Sequence, residues 1–404
     1  MGVYLNPGNQ KYKEAVNSEI YVDKTEMITY LNTLVSTEQK YICVSRPRRF
    51  GKSMAANMLC AYFDRTVDSR TLFGDKLLAK SAGWDRYLGK FDVLHLLITD
   101  FISGSDTVEE LLQYLEEETT RELMMAYPGV LFGSRINLRT VMNGIYAATG
   151  RMFVVIIDEW DAVFREYSED KDGQKKYLDF LRDWLKDKTY ITLAYMTGIL
   201  PIKKYGKHSA LNMFHEYSMT RPGRLAFSMG FTAEEVAKEC QSRKLNFDMF
   251  RKWYDGYRLS NRADADMLLE GANEEKDIYR DYEIYSPYSV VNAMLSRQFA
   301  SYWNQTETYE ALQQYIDWNF DGLKEDVAVL MNGDRVKTDI TSYQNDMTTF
   351  HSRDDILTML IHLGYLGYDS RTQETFIPNK EVREVFVSST KSRDWSVTFK
   401  ALAI

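Results

Sequence analysis

The stretch that decides the fold is Ser45-Arg46-Pro47-Arg48-Arg49-Phe50-Gly51-Lys52-Ser53. An apolar, β-prone run precedes it at residues 41–44, and a segment of helix-forming composition follows at residues 54–63. A strand, a loop that ends in Gly-Lys-Ser and a helix, in this order, form the arrangement that binds a polyphosphate. We therefore predict a phosphate-binding loop at this point of the chain.

The three residues at the end of the loop have separate chemical roles. Gly51 carries no Cβ, so backbone N–H groups can approach the phosphate oxygens. Lys52 supplies a positive charge, and the Ser53 hydroxyl can ligate Mg²⁺ at a helix N-terminus that already favours anions. The usual pattern also has a glycine five residues before Gly51, where this chain has Arg46. The alternative interpretation is a tight turn with a surface lysine.

A second half of the same site is predicted about a hundred residues further on. Residues 152–157 form a continuous apolar run of the kind found in a parallel strand that is buried on both faces. The run ends at Asp158 and Glu159, and carboxylates at this end of a strand lie where open α/β sheets bind ligands. Asp158 is predicted to hold Mg²⁺, and Glu159 to orient or deprotonate an attacking water. The alternative is an acidic strand end that begins a solvated helix.

A further strand is predicted at residues 190–196, and Thr197 follows it. Strands that alternate with helices in this way predict a parallel, three-layer α/β sheet. A polar residue at the tip of this strand can hydrogen-bond the γ-phosphate or the attacking water. The alternative for Thr197 is a threonine that only caps the strand.

Six short motifs resemble a known family when they are taken together: Tyr21-Val22-Asp23-Lys24-Thr25, residues 46–53, Ile157-Asp158-Glu159-Trp160-Asp161, Thr197-Gly198-Ile199, Trp253-Tyr254-Asp255-Gly256-Tyr257-Arg258 and Ile377-Pro378-Asn379-Lys380-Glu381-Val382-Arg383. They resemble the AAA-ATPase-like family of bacterial P-loop proteins, which often carry a PD-(D/E)XK nuclease-like domain after the ATPase part. The loop of this family lacks the first glycine, which accounts for Arg46. The chain ends at Ile404, where the nuclease-like domain would begin, so we expect no nuclease activity.

The motifs and the resemblance imply ATP and Mg²⁺ as cofactors. The expected catalytic residues are Glu159, Lys52 and Thr197, and the expected metal ligands are Ser53 and Asp158. The expected nucleotide contacts are Arg46, Pro47, Arg48, Arg49, Phe50, Gly51, Lys52 and Ser53 in the loop, with Tyr21 and Asp23 ahead of the first strand. The alternative for the Tyr21 segment is an edge element of the core. An arginine that reaches the γ-phosphate is expected among Arg46, Arg48, Arg49, Arg221 and Arg224.

The pattern predicts three parts along the chain. Residues 1–230 are expected to form the three-layer P-loop NTPase core, and residues 231–350 a helical lid that opens with a capping box at Thr232. Within the lid, residues 263–281 are expected to form an exposed insertion, and residues 307–320 a helix. Residues 351–404 read as helix, hairpin and helix, a winged-helix-like order. The hairpin is not basic, which favours protein packing over DNA binding.

Composition narrows the class of protein further. The chain has 404 residues, 45% of them hydrophobic, and a formal net charge of −8, which argues against a protein that coats nucleic acid non-specifically. Its three cysteines are too few and too scattered for a disulfide frame or a zinc site. No signal-peptide pattern and no apolar run of membrane-spanning length occur in the sequence. We therefore expect a cytoplasmic protein.

The expected function is an Mg²⁺-dependent ATPase that couples its nucleotide state to a protein or nucleic-acid partner, with a homo-oligomer as one arrangement. One alternative is a nucleotide-gated binding module with little hydrolysis. A second alternative is the regulatory part of a truncated ATPase-nuclease.

Overall fold

The computed structural model describes residues 2–202, 210–260, 281–303, 319–344 and 350–389. The chain divides into two compact units. The first unit consists of Met1–Ser45 and Lys52–Glu216, and the second of Arg46–Gly51 and Tyr217–Ile404. The division therefore runs through the predicted phosphate loop, because residues 46–51 group with the C-terminal half of the chain.

The first unit is an α/β structure. Its elements in chain order are α1 (Gln10–Val16), α2 (Glu26–Leu34), β1 (Tyr41–Ser45), α3 (Lys52–Phe63), α4 (Arg70–Phe73), β2 (Asp92–Leu97), α5 (Ile98–Ile102), α6 (Val108–Ala126), α7 (Leu138–Thr149), β3 (Phe153–Asp158), α8 (Ala162–Glu166), α9 (Lys171–Leu185) and β4 (Ile191–Gly198). The short strand β5 (His215–Tyr217) completes the sheet at the point where the two units divide.

The sheet brings the predicted site strands together. Its order is β2-β3-β4-β1-β5, and the pairs β2–β3, β3–β4 and β4–β1 are parallel. Every residue of β1, β3 and β4 is buried, as expected for strands that are covered on both faces. The predicted parallel α/β fold is confirmed. Because parallel strands end at one edge, Ser45, Asp158 and Gly198 share the edge at which such sheets bind ligands.

Local signals explain most of the helix boundaries. The side chain of Asn137 accepts a hydrogen bond from the backbone of Thr140 in a capping box, and Gly150 ends α7 with a left-handed φ of 69°. Helix α9 begins at Lys171, although residues 170–173 read as a loop in the sequence. The reason is that the Asp170 side chain caps the helix by accepting from the N–H of Gly173.

The second unit is mainly helical. Its described elements are β6 (Phe231–Thr232), α10 (Ala233–Arg243), α11 (Phe247–Tyr254), β7 (Tyr257–Ser260), β8 (Asp281–Tyr285), α12 (Pro287–Ser296), α13 (Leu323–Met331), β9 (Val336–Lys337), α14 (Arg353–Leu363), β10 (Gly367–Asp369), β11 (Glu374–Phe376) and α15 (Lys380–Ser389). The predicted helical C-terminal region and the capping box at Thr232 are confirmed.

Two small antiparallel sheets accompany these helices, in the orders β6-β8-β7 and β10-β11-β9. The first of them was not predicted from the sequence. The insertion at 263–281, except Asp281, and most of the helix at 307–320 lie outside the described residues. The division of the chain at residues 230 and 350 stays a prediction.

Helix α14 lies in the interior of the second unit. Each of its residues from Asp355 to Leu363 is buried. A helix that is buried all round has no face to insert into a DNA groove. This burial supports the interpretation that the C-terminal helix, hairpin and helix pack against protein.

The three thiols are buried and free. Cys43 lies on β1, Cys60 on α3 and Cys240 on α10. Burial raises the pKa of the Cys43 and Cys60 thiols, and it raises that of Cys240 to about 11. They therefore act as small apolar core residues. Among the helices of the described residues, none has the length and hydropathy needed to cross a bilayer.

Candidate active site

The predicted phosphate loop ends directly in a helix, as the motif requires. Helix α3 begins at Lys52, and the preceding Gly51 has a φ of 90°. No atom lies within 4 Å of the position that a Cβ on Gly51 would take, so it is the left-handed backbone, and not lack of space, that calls for glycine. Ser53 is exposed in the first turn of the helix, where a hydroxyl can meet a ligand.

Lys52 is a buried cation among carboxylates. Only 7% of the residue is exposed, and burial lowers its pKa to about 8. Three carboxylates oppose this shift by favouring the charged form, and they belong to Asp158, Asp161 and Glu159. A phosphate group beside the ammonium would also favour the charged form and raise the pKa of Lys52. The site is therefore arranged so that an anionic ligand stabilises the protonated lysine.

Asp158 is fixed by the neighbouring strand. The Thr197 hydroxyl donates a hydrogen bond to Asp158 Oδ1, and the N–H of Glu159 donates to the same oxygen at 3.0 Å. The N–H of Trp160 donates to the Thr197 carbonyl at 3.0 Å, which joins the ends of β3 and β4. Thr197 thus orients the carboxylate that the sequence identifies as a metal ligand.

Glu159 pairs with an arginine that was not predicted to belong to the site. Its backbone has a φ of 53°, an unusual value for a residue with a side chain. Its Oε2 lies 3.2 Å from a terminal nitrogen of Arg165, which lies on α8 and is only 9% exposed. The Glu159 side chain itself is 34% exposed. A carboxylate with this exposure can accept a proton from a bound water, and the ion pair with Arg165 fixes its position.

Asp161 accepts hydrogen bonds from the residues that follow β4, and the sequence alone assigned it no role. Its buried Oδ2 accepts the N–H groups of Ile199 at 3.0 Å and Leu200 at 2.9 Å, and lies 3.7 Å from Nε of Arg165. A Cβ on Gly198 would come within 2.6 Å of Asp161 Oδ1. The spacing of Asp161 and Arg165, four residues apart at the start of a helix, was the available sequence signal.

Tyr21 and Asp23 use their polar atoms within the first unit. The hydroxyls of Tyr21 and Tyr12 lie 2.6 Å apart. Asp23 accepts the N–H of Thr25 at 2.9 Å with one oxygen and the N–H of Leu77 at 2.7 Å with the other. These bonds agree with an edge element of the core, and contact of this segment with a nucleotide stays a prediction.

The five side chains from Arg46 to Phe50 belong to the second unit. Arg46 and Phe50 are fully buried, whereas Arg48 and Arg49 are half-buried. Of the other arginines predicted to reach the γ-phosphate, Arg221 and Arg224 are exposed in the same unit. A role for any of these arginines at the γ-phosphate remains a prediction.

The residues fit a magnesium ion that arrives with a nucleotide. Within the described residues, no group of three or more His, Cys, Asp and Glu side chains could hold a metal by itself. Mg²⁺ in phosphate-transfer sites uses only one or two carboxylates, completed by water and phosphate oxygens. One carboxylate at Asp158 and one hydroxyl at Ser53 match this donor set.

The chain has a parallel sheet, a Gly-Lys-Ser loop between a strand and a helix, and an Asp-Glu pair at the end of another strand of the sheet. These features define the class of P-loop nucleotide-binding proteins. The model of the AAA-ATPase-like family, described as "Predicted AAA-ATPase", matches residues 8–207, and by this match the chain belongs to that family.

Two further similarities were found. The chain is 25% identical over 301 residues to an uncharacterised protein from the vnfD 5′ region of Azotobacter chroococcum mcd 1. The match covers 71% of this chain and 51% of the relative, so the chain spans about half of that protein's length. Among solved structures, the Aeropyrum pernix ORC2 protein, solved as ADPNP-ADP complexes, matches with a TM-score of 0.34, 10% identity and coverage of 96% of this chain and 98% of that chain.

Proposed function

We propose that the protein binds ATP with Mg²⁺ and hydrolyses it to ADP and phosphate. The observation that carries this proposal is the arrangement in the first unit. A buried lysine at a helix N-terminus experiences the charges of both Asp158 and Glu159, which follow β3. Hydrolysis of a triphosphate needs these groups: a cation for the phosphate oxygens, a carboxylate for the metal and a second carboxylate for the water.

Each residue has a defined part in this proposal. Lys52 binds the β and γ oxygens, while Ser53 and Asp158 would hold the Mg²⁺, which neutralises charge on the phosphates when it is bound. Glu159 orients the attacking water and accepts its proton, and Thr197 keeps Asp158 in position. Most of the rate enhancement would come from electrostatic placement of these groups.

A second candidate function is a nucleotide-gated binding module with little hydrolysis. The ion pair of Glu159 with Arg165 supports it, because a carboxylate oxygen that is engaged by an arginine is not available to orient a water. In this case the nucleotide would change the affinity of the protein for a protein or nucleic-acid partner, and turnover would stay slow. We place either activity in the cytoplasm, since all three cysteines are free thiols.

The test compares two carboxylates that neighbour the same arginine. Glu159 Oε2 lies 3.2 Å from Arg165, and the exposed Glu166 Oε1 lies 4.0 Å from it. We expect Glu159→Gln to lower ATP turnover by about 10²-fold or more while nucleotide binding persists, because only the proton acceptor is removed. Glu166→Gln should hydrolyse ATP like the wild type, and Lys52→Ala should lose nucleotide binding.

Phosphate release with labelled ATP and titration with a non-hydrolysable ATP analogue give the two readouts. Equal turnover in Glu159→Gln and the wild type would exclude the proposed role of Glu159. Tight nucleotide binding with no turnover in the wild type, with or without added DNA, would favour the binding module.

A further inference from the structure

The segment Arg46–Gly51 is part of the phosphate loop in sequence, but it is packed as part of the second unit. In an ordinary phosphate loop the residues before the Gly-Lys-Ser begin with a glycine, and their backbone N–H groups surround the phosphates. Here four of them are large, and the structure gives several of these side chains partners from residues 217–364. The role of these contacts in ligand binding rests on the proposed binding of ATP.

Arg46 anchors the start of the segment. Its side chain is fully buried, and its two terminal nitrogens donate to the carbonyls of Tyr217 at 2.8 Å and Leu225 at 3.1 Å. Hydrogen bonds from a charged donor are stronger than those between neutral groups. An arginine thus stands where the usual pattern has a flexible glycine, and it fixes the backbone that a glycine would leave free.

Pro47 and Phe50 fill places in the core of the second unit. A Cβ on Gly364 would lie 2.8 Å from the Pro47 ring, so the backbone there approaches the loop closely. The Phe50 ring meets the rings of Tyr257 and Trp303 edge to face, with centroids 5.3 Å and 6.5 Å away. Aromatic pairs at these distances add stability beyond that of buried area.

Arg49 holds the tip of the segment in an unusual conformation. Its φ is 66°, in the left-handed region that costs energy for a residue with a side chain. Its guanidinium lies 3.9 Å from the centre of the Tyr288 ring and donates to the Tyr302 carbonyl at 3.4 Å. Glu381 in turn accepts the N–H of Trp303 at 2.9 Å, and this N–H belongs to the same peptide group as the Tyr302 carbonyl.

We propose that the second unit holds Arg46–Gly51 in its ligand-ready conformation, so that Arg49 and Phe50 are positioning residues whose partners set the affinity for the triphosphate. The strained φ of Arg49 would otherwise relax when no ligand is bound. A loop that is arranged in advance loses less conformational freedom on binding. A partner that moves Tyr288 or Trp303 would then change nucleotide affinity without touching the nucleotide.

The test uses the half-buried Tyr288, whose removal leaves the core intact. We expect Tyr288→Ala to weaken binding of a non-hydrolysable ATP analogue by about threefold to tenfold, the range of one cation–π contact. KM for ATP should rise by a similar factor while kcat changes little. Tyr288→Phe keeps the ring and should restore wild-type affinity. Arg335→Ala is the matched control, because it removes an arginine 4.6 Å from the centre of the Phe376 ring in the same unit.

A double variant separates positioning from general destabilisation. If Arg49 acts through Tyr288, then Arg49→Ala/Tyr288→Ala should bind the analogue no more weakly than Arg49→Ala alone. Additive losses, or wild-type affinity in Tyr288→Ala, would overturn the inference while ATP binding itself stands. If the wild type binds the analogue no better than Lys52→Ala, the proposed function fails and this inference fails with it.

Discussion

The ammonium group of Lys52 shows how burial makes the charge of one residue depend on its surroundings. Only 7% of this residue is exposed, and burial brings its pKa down to about 8, close to the pH of most assays. A bound triphosphate places further negative charge beside it. Because an anion favours the protonated form, the pKa of Lys52 should be higher in the complex than in the free protein.

This difference predicts a pH-dependent affinity for ATP. Above pH 8 the free protein must take up a proton at Lys52 in order to bind, so the affinity should fall by about tenfold for each pH unit. Titrations with a non-hydrolysable analogue between pH 7 and 9.5 measure this slope. In the same range Lys52→Arg should give a nearly flat profile, because arginine keeps its charge. A flat profile in the wild type would contradict the prediction.

At the scale of elements, hydrogen bonds connect the residues that follow β3 with the end of β4 and the residues after it, and we call this region the corner. Trp160 and Thr197 are joined through the backbone, and Asp161 receives the two N–H groups that follow Gly198. The corner has no room for a side chain at position 198, since a Cβ would lie 2.6 Å from Asp161 and 2.7 Å from the indole nitrogen of Trp160. These hydrogen bonds therefore depend on glycine at position 198.

Gly198→Ala should destabilise the protein by about 1–3 kcal/mol, the usual result of forcing an extra methyl group into a packed site. It should also lower ATP turnover, because the shift would disturb the Thr197 hydrogen bond to Asp158. Chemical denaturation measures the first effect and phosphate release the second. Gly144→Ala, within α7 and at ordinary contact distance from Phe132, is the control and should stabilise the protein by about 0.5–1 kcal/mol. Equal stability of Gly198→Ala and the wild type would contradict the steric argument.

The same elements show what the sequence can and cannot predict. β3 and β4 were predicted because long apolar runs end in polar residues, and the short strand β1 was predicted because a Gly-Lys-Ser loop follows it. Lys52, Asp158 and Glu159 follow from their positions after these strands. β7 and β8 were missed because strands of four or five residues, set among aromatic residues, carry too little periodicity. The anchoring of Arg46 was also beyond sequence reasoning, since its partners are carbonyl groups 171 and 179 positions away.

For the molecule as a whole, buried ionisable groups set how stability varies with pH. Burial raises the pKa of Glu381 to about 7, although its Oε1 accepts three hydrogen bonds, from the Ser289 hydroxyl and the N–H groups of Tyr302 and Trp303. The stability that this carboxyl contributes is complete below pH 4.5 and is lost as the pH rises to 7. Lys52 has the opposite effect on stability, because its pKa is lowered in the folded protein. The stability that it contributes therefore grows as the pH rises from 8 to 10.5.

Glu381→Gln should remove the first of these two dependences. The amide oxygen can accept the same three hydrogen bonds without a charge, so at pH 7.5 the variant should be more stable than the wild type by up to about 3 kcal/mol. Near pH 4.5 the two proteins should be equally stable. Unfolding in urea at several pH values tests this, with the exposed Glu325→Gln as a control in the same unit. A variant that is less stable than the wild type at pH 7.5 would refute the sign.

The three buried cysteines can report local opening of the structure, because each sulfur reacts only when it becomes accessible. Only the thiolate attacks an alkylating reagent, and the reagent must reach the sulfur, so Cys43, Cys60 and Cys240 stay unmodified while their surroundings are closed. Cys43 and Cys60 belong to the unit with the parallel sheet, and Cys240 to the other. Peptide mass analysis after timed exposure to iodoacetamide therefore reads the opening rate of each half separately, in the native sequence and without an attached dye.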